Sequence, residues 1–254
     1  MGSELFLLLR NIIQHPYSIF AQSSDASIQT GNVAYSSARS ATTGTVNTVT
    51  DTSAETGIVR FSSRGGGNTV RINRLFFRYN TSGISVTPSS ANFKFTLQAD
   101  LGATADQANL IAVKSDAFTN SGQLQSSDFD NIDISTPYTA EIDLGSSSSG
   151  DRISIALNSD ALSDIGANDE FILALISHAH DFTNSEPTGT PNNIINIRTA
   201  DFSNTSSDPE IDYVEGSSAS GPSGLASFSG VAKANIASVS GVAIASIASI
   251  NTVS

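Results

Sequence analysis

Three short stretches of this sequence carry side chains whose spacing could do chemistry. Asp128-Phe129-Asp130-Asn131-Ile132-Asp133 sets carboxylates close together along the chain. Such oxygens suit calcium, a hard cation that takes six to eight oxygen ligands at about 2.3–2.6 Å. Asp128, Asp130 and Asp133 are therefore the candidate metal ligands, and calcium is the single candidate cofactor. The stretch is not an EF-hand loop, because no Gly stands at its sixth position and no Glu at its twelfth. A solvated acidic loop is the alternative. His178-Ala179-His180-Asp181 would place two imidazoles on one face of an extended segment, which is a metal-ligand spacing. A cupin-type site also needs a Glu and a third His downstream, whereas the only other histidine is His15. A polar strand end is the simpler expectation.

The third stretch is basic. Arg60, Arg64, Arg71, Arg74 and Arg78 fall within one short span of a chain that otherwise runs acidic. They could line a groove for an anion, or form a polar sheet face compensated by some of the 24 acidic side chains. The compensated face is the expectation. Arg64-Gly65-Gly66-Gly67-Asn68 resembles a phosphate cradle only superficially. A P-loop needs Gly-Lys-Ser/Thr opening a helix, and here a strand follows, so the glycines belong to a hairpin loop. No Gly-x-Ser-x-Gly elbow accompanies the many serines, and the absence of cysteine removes thiol catalysis, zinc-thiolate sites and disulfides together. No catalytic residue is expected, and the protein is not read as an enzyme.

The elements that must hold these stretches are strands. Of 254 residues 39% are hydrophobic, enough for one sizeable core, while recurrent Ser, Thr, Asn and Gly weaken helices. In Ile72–Gly83, Leu75, Phe77 and Tyr79 alternate with Arg74, Phe76 and Arg78, as in a central strand with one face on a core and guanidinium groups along most of the other. After the turn residues Asn80-Thr81-Ser82-Gly83, the alternation of Phe93-Lys94-Phe95-Thr96-Leu97 predicts a strand paired with the first. Val33–Tyr35, Thr45–Val49, Gly57–Ser63, Ala108–Val113, Tyr138–Leu144, Arg152–Leu157, Phe171–Ile176, Ile194–Ile197 and Ile211–Val214 are further expected strands. Asp160–Ile165 fits one helical turn. The net charge of −12 argues against a nucleic-acid partner, since phosphate binding needs a basic surface.

Two apolar arms flank this domain. Leu5-Phe6-Leu7-Leu8-Leu9 is broken by Arg10, too early for a membrane span, and Glu4 stands where a secretory signal would carry basic residues. A short amphipathic helix or extended arm from Glu4 to about Gln14, ended by Pro16, fits better. Beyond the Gly/Ser-rich residues 217–223 the chain repeats with a period of about eleven, Gly230–Ser240 and then Gly241–Asn251. Two copies are too few to bury a core alone, so the tail is expected to pack on a partner. The expected organisation is an arm at 1–22, a domain at 23–215, a linker at 216–229 and a repeat tail at 230–254. The expected interface residues are Phe228, Val231, Ile236, Val239, Val242, Ile244, Ile247, Ile250 and Val253, with Leu5, Phe6, Leu8 and Leu9 as a second contact.

Arg74-Leu75-Phe76-Phe77-Arg78-Tyr79-Asn80-Thr81-Ser82-Gly83-Ile84, followed by Ala91–Leu97, resembles the Arg-x-Phe-x-x-Phe-Asp-Thr-Ser-x-Ile … Ala-x-Leu-x-Leu pattern of DNRLRE-type jelly-roll domains. Asp208-Pro209-Glu210-Ile211-Asp212-Tyr213 echoes their usual ending, although Asn80 stands where the family often has Asp. The tail is similar to Ile-Ala-Ser-Val-Asn-Gly-Val-Ala repeats of predicted structural proteins of marine phages. These resemblances imply an all-β antiparallel jelly-roll sandwich and a non-catalytic role in a virion. A bacteriophage capsid decoration or cement subunit, or a fibre or appendage subunit, would self-associate into a homo-oligomer and meet other virion structural proteins. A secreted or cell-surface module that holds surface glycans is the competing class, weakened by 7% aromatic residues and no Trp. A bacterial surface-filament subunit is the third.

Overall fold

The computed structural model describes residues 17–47, 52–62, 67–98, 109–118, 122–189, 192–203 and 205–216, together with the backbone of four short strands between 227 and 243. The domain is built from β1 (Tyr17–Phe20), β2 (Ala26–Gln29), β3 (Thr45–Val46), β4 (Ser53–Ser62), β5 (Asn68–Asn80), β6 (Ser90–Thr96), β7 (Leu110–Ser115), β8 (Ile132–Pro137), β9 (Arg152–Ala156), β10 (Glu170–Ser177), β11 (Asn192–Arg198) and β12 (Glu210–Val214). Helix α1 (Tyr35–Arg39) lies between β2 and β3, and α2 (Ser159–Ala167) between β9 and β10. Asn158 caps α2, its side chain accepting from the backbone N–H of Asp160 and Ala161.

All pairings among these strands are antiparallel, in two sheets. One sheet has the order β1-β12-β6-β9; the other contains β5-β10-β7-β8, extended through β4 to β11 and by β2 and β3. Counting β1, β5, β6, β7, β8, β9, β10 and β12 as first to eighth, the chain forms first-eighth-third-sixth in one sheet and second-seventh-fourth-fifth in the other. That order is a jelly roll.

Alternation explains both cores. Leu75, Phe77 and Tyr79 of β5 point between the sheets, where they meet Phe93 and Phe95 of β6, Leu173 and Leu175 of β10, and Ile211 of β12. The rings of Phe77 and Phe93 stand 5.5 Å apart. Ile72 and Phe76 face the other way into a second core, covered by Tyr35 and Ala38 of α1 and by Phe118, Leu124 and Phe129. Burial on both sides makes β5 and β10 the centre of the molecule, as the two-faced apolar run Phe171–Ile176 predicts.

Several sequence expectations change. β5 and β6 are not neighbours but lie in opposite sheets, because residues 81–89 carry the chain across the sandwich. The second face of β5 is a core instead of a guanidinium-lined surface: Arg74 is 3% exposed. Residues 138–144 form no strand, although Ile142 bridges Leu110. Their apolar alternation reports one-sided burial of Tyr138, Ile142 and Leu144, which an irregular segment satisfies equally well. Val33–Tyr35 gives a bridge at Val33 and the start of α1. Tyr17–Phe20, expected in the arm, is a strand of the sandwich.

Candidate functional site

The candidate site is the place where the segments before Tyr17 and after Val214 join the domain. β1 is an edge strand whose register with β12 runs Tyr17↔Tyr213, Ser18↔Asp212, Ile19↔Ile211 and Phe20↔Glu210. Antiparallel pairing places the beginning of β1 beside the end of β12. The chain before Tyr17 and the chain after Val214 therefore attach at one corner of one sheet. Stacked rings mark that corner: Tyr17 and Tyr213 lie 5.6 Å apart at 28°. Tyr17 is 51% exposed and Phe20, at the other end of the same strand, 45%. The sequence signal was available, since Tyr17, Ile19 and Phe20 are strand-favouring residues directly after Pro16, but the partner strand is remote in the chain.

The exit of β12 is fixed by the loop that links the sheets. The Ser89 N–H donates to the Val214 carbonyl at 2.9 Å, and its hydroxyl reaches the Val214 and Glu215 carbonyls at 3.2 Å. Gly216 sits so close to Thr87 that a Cβ there would lie 2.0 Å from the Thr87 carbonyl oxygen. Only glycine fits this approach.

The outer face beside this corner is neutralised pair by pair. Lys94 lies 2.5 Å from Asp212 and 3.4 Å from Glu210, and Arg152 lies 3.3 Å from Glu210. A hydrogen bond to Asp212 raises the Lys94 ammonium pKa. Burial alone would raise the Asp212 carboxyl, but the hydrogen bonds from Lys94 and Asn92 outweigh it and hold the group below its ordinary value.

The residues singled out from sequence fall elsewhere. Asp128 is buried: Oδ2 accepts from the Gln125 N–H at 2.8 Å and the Phe118 N–H at 3.3 Å, and Oδ1 from Asn131 Nδ2 at 2.8 Å. Asp133 accepts from the Ser135 N–H and hydroxyl and from Thr136, which lowers its carboxyl pKa. Asp130 is exposed. Among the described residues no three His, Cys, Asp or Glu side chains gather so as to hold a metal ion, and these aspartates are not brought together as a ligand set.

His178 and His180 do not share a strand face, because the chain coils into a wide turn over His178–Phe182. His178 Nδ1 lies 3.2 Å from Glu141, while His180 is buried with Nδ1 2.8 Å from the Ser185 carbonyl. Three of these arginines meet carboxylates, Arg71 with Glu55, Arg74 with Asp181 and Arg78 with Glu170; Arg78 also donates to Gln22 and Gly122, and Arg60 donates to the Gly189 carbonyl. Arg64 and His15 lie outside the described residues, as do Leu5, Phe6, Leu8, Leu9, Ile236, Ile244, Ile247, Ile250 and Val253. Phe228, Val231, Val239 and Val242 are placed by their backbone in short strands.

Two shallow grooves lie among the described residues. One, of about 420 Å³, is lined by Gln29, Asn47, Ser53, Glu55 and Asn196. The other, of about 370 Å³, contains Lys114, Tyr138 and Asp164; Lys114 Nζ and the Tyr138 hydroxyl both donate to Asp164 Oδ2. Burial, then that carboxylate, raises the Tyr138 phenol and keeps it protonated. No helix among the described residues is long and apolar enough to cross a membrane. No protein-family model and no curated protein matches the chain.

Proposed function

We propose that this protein is a non-catalytic structural subunit of a virion, most simply a bacteriophage capsid decoration, cement, fibre or appendage component, that assembles through its two arms. One relationship carries the conclusion: the arms attach to β1 and β12, which are paired neighbours at the edge of one sheet, with Tyr17 stacked on Tyr213. Two apolar segments rooted at one corner can engage the same neighbour together. The second engagement then costs little further entropy. The jelly roll faces outward, and the net charge of −12 keeps it soluble. The phage-like repeats of the tail favour a virion over a cell surface. Deleting residues 1–16 should weaken, and ending the chain at Gly216 should abolish, a defined oligomer measured by light scattering on a sizing column, and an unaltered oligomer from the chain ending at Gly216 refutes the proposal.

The amide-lined groove at Gln29, Asn47 and Asn196 favours a second reading, a secreted or cell-surface module that holds a neutral glycan. Binding on a glycan array that is lost in Asn196→Ala supports it, and an empty array removes it.

A further inference from the structure

The tail strands fall in one register. β13 (Ser227–Phe228) pairs antiparallel with β14 (Val231–Ala232), as Ser227↔Ala232 and Phe228↔Val231. β15 (Ser238–Val239) pairs antiparallel with β16 (Val242–Ala243), as Ser238↔Ala243 and Val239↔Val242. Every paired position of the second hairpin lies eleven residues after its counterpart in the first. The sequence keeps the same step: Ser227-Phe-Ser-Gly-Val-Ala-Lys-Ala-Asn-Ile-Ala237, then Ser238-Val-Ser-Gly-Val-Ala-Ile-Ala-Ser-Ile-Ala248, then Ser249-Ile-Asn-Thr-Val-Ser254. The repeating unit thus begins with a six-residue hairpin segment and ends with a five-residue spacer, x-Ala-x-Ile-Ala. In the third, partial copy Ile250 and Val253 stand at the sequence positions of Phe228 and Val231.

Two-residue strands in pairs are far below the size that holds a hairpin together in water. Each tail pair is a two-stranded sheet with no third strand among the described residues. Something must extend these sheets, and charge restricts what it is. Lys233 is the only ionisable side chain between Ser217 and Ser254, so the acidic excess lies entirely in the rest of the chain. A basic partner would be drawn to the domain and not to the tail. A neutral strand with an internal repeat is best complemented by another copy of itself, which offers the same edges at the same spacing.

We infer that the tail is an array of eleven-residue hairpin modules that docks on the tails of other copies of this chain, module against module. This rests on the arm-assembly reading above and adds to it a partner, the identical tail, and a rule, registration in steps of eleven.

The test deletes from the full chain either one whole module, Ser238–Ala248, or only the spacer Lys233–Ala237, which leaves both hairpin segments but shifts their phase. Light scattering during dilution on a sizing column reads the association. The module deletion should keep the wild-type stoichiometry with weaker association. The smaller spacer deletion, whose hairpin segments keep step only with an identically shortened tail, should associate with itself but co-assemble with tagged wild-type chain at least tenfold more weakly than the module deletion does. A spacer deletion that co-assembles with wild-type chain as well as the module deletion does overturns the inference while leaving arm assembly intact. A chain ending at Gly216 that still forms the wild-type oligomer overturns the arm reading itself, and this inference with it.

Discussion

Arg74 and Asp181 form a two-point ion pair inside the protein, with Nε 2.7 Å from Oδ2 and Nη2 2.8 Å from Oδ1, and with side-chain exposures of 3% and 1%. The guanidinium also donates to the Phe129 carbonyl and lies 4.1 Å over the Phe129 ring. One residue of β5 therefore ties the central strand to two loops that roof the second core.

Breaking the pair strands a charge in that core. Asp181→Asn should cost about 3–5 kcal/mol, whereas Arg74→Met combined with Asp181→Leu should recover most of it, because a buried ion pair replaced by apolar groups is often neutral. Urea melts at unchanged slope measure both.

Asp25 should make stability fall with pH. Burial pushes its carboxyl up to about 7, against a hydrogen bond from the Ala200 N–H at 3.0 Å, with Asp201 and Asp208 raising it further. In the unfolded chain the group titrates near 3.8. Since the folded value is the higher one, its contribution is full below about pH 4, declines as pH rises towards 7 and is absent above. Asp25→Asn should flatten this slope and add a few kcal/mol at pH 8, at roughly 1.4 kcal/mol per pH unit, with little change at pH 4. Melts at pH 4 and pH 8 decide it.

Gly57 should not tolerate a side chain. It adopts φ +112°, and a Cβ would lie 2.0 Å from the Asn193 carbonyl oxygen of β11. Gly57→Ala should lower stability by about 1–3 kcal/mol and lower the melting temperature.

Which parts of this were legible in the sequence follows from the range of the forces involved. The alternation of Leu75, Phe77 and Tyr79 depends only on neighbouring residues, so the central strand and its core face were readable. The partner of Phe93 was not, because Asn80–Gly83 signals a turn without saying whether the chain folds back in one sheet or crosses to the other. The sequence pattern puts Arg74 at a surface, because its neutralising carboxylate comes from a distant turn. His178 and His180 share a face only on an extended backbone, and the coil at His178–Phe182 separates them. Asp128 and Asp133 are visible as an acidic stretch; that their oxygens accept from backbone and side-chain donors is a matter of loop geometry. The shared corner of the arms depends on Tyr17 finding Tyr213, which no local pattern encodes.

Calcium removal should leave the domain unchanged. The contacts made by Asp128 and Asp133 predict the same melting temperature in EDTA as in millimolar calcium, and a rise of several degrees in calcium would restore a metal role to that loop.

The central claim, assembly through arms rooted at the Tyr17–Tyr213 corner, is tested most directly by the solution mass of the full chain beside a chain ending at Gly216. A defined oligomer for the full chain and a folded monomer for the shortened one is the predicted result. Two monomers, or two identical oligomers, would contradict it.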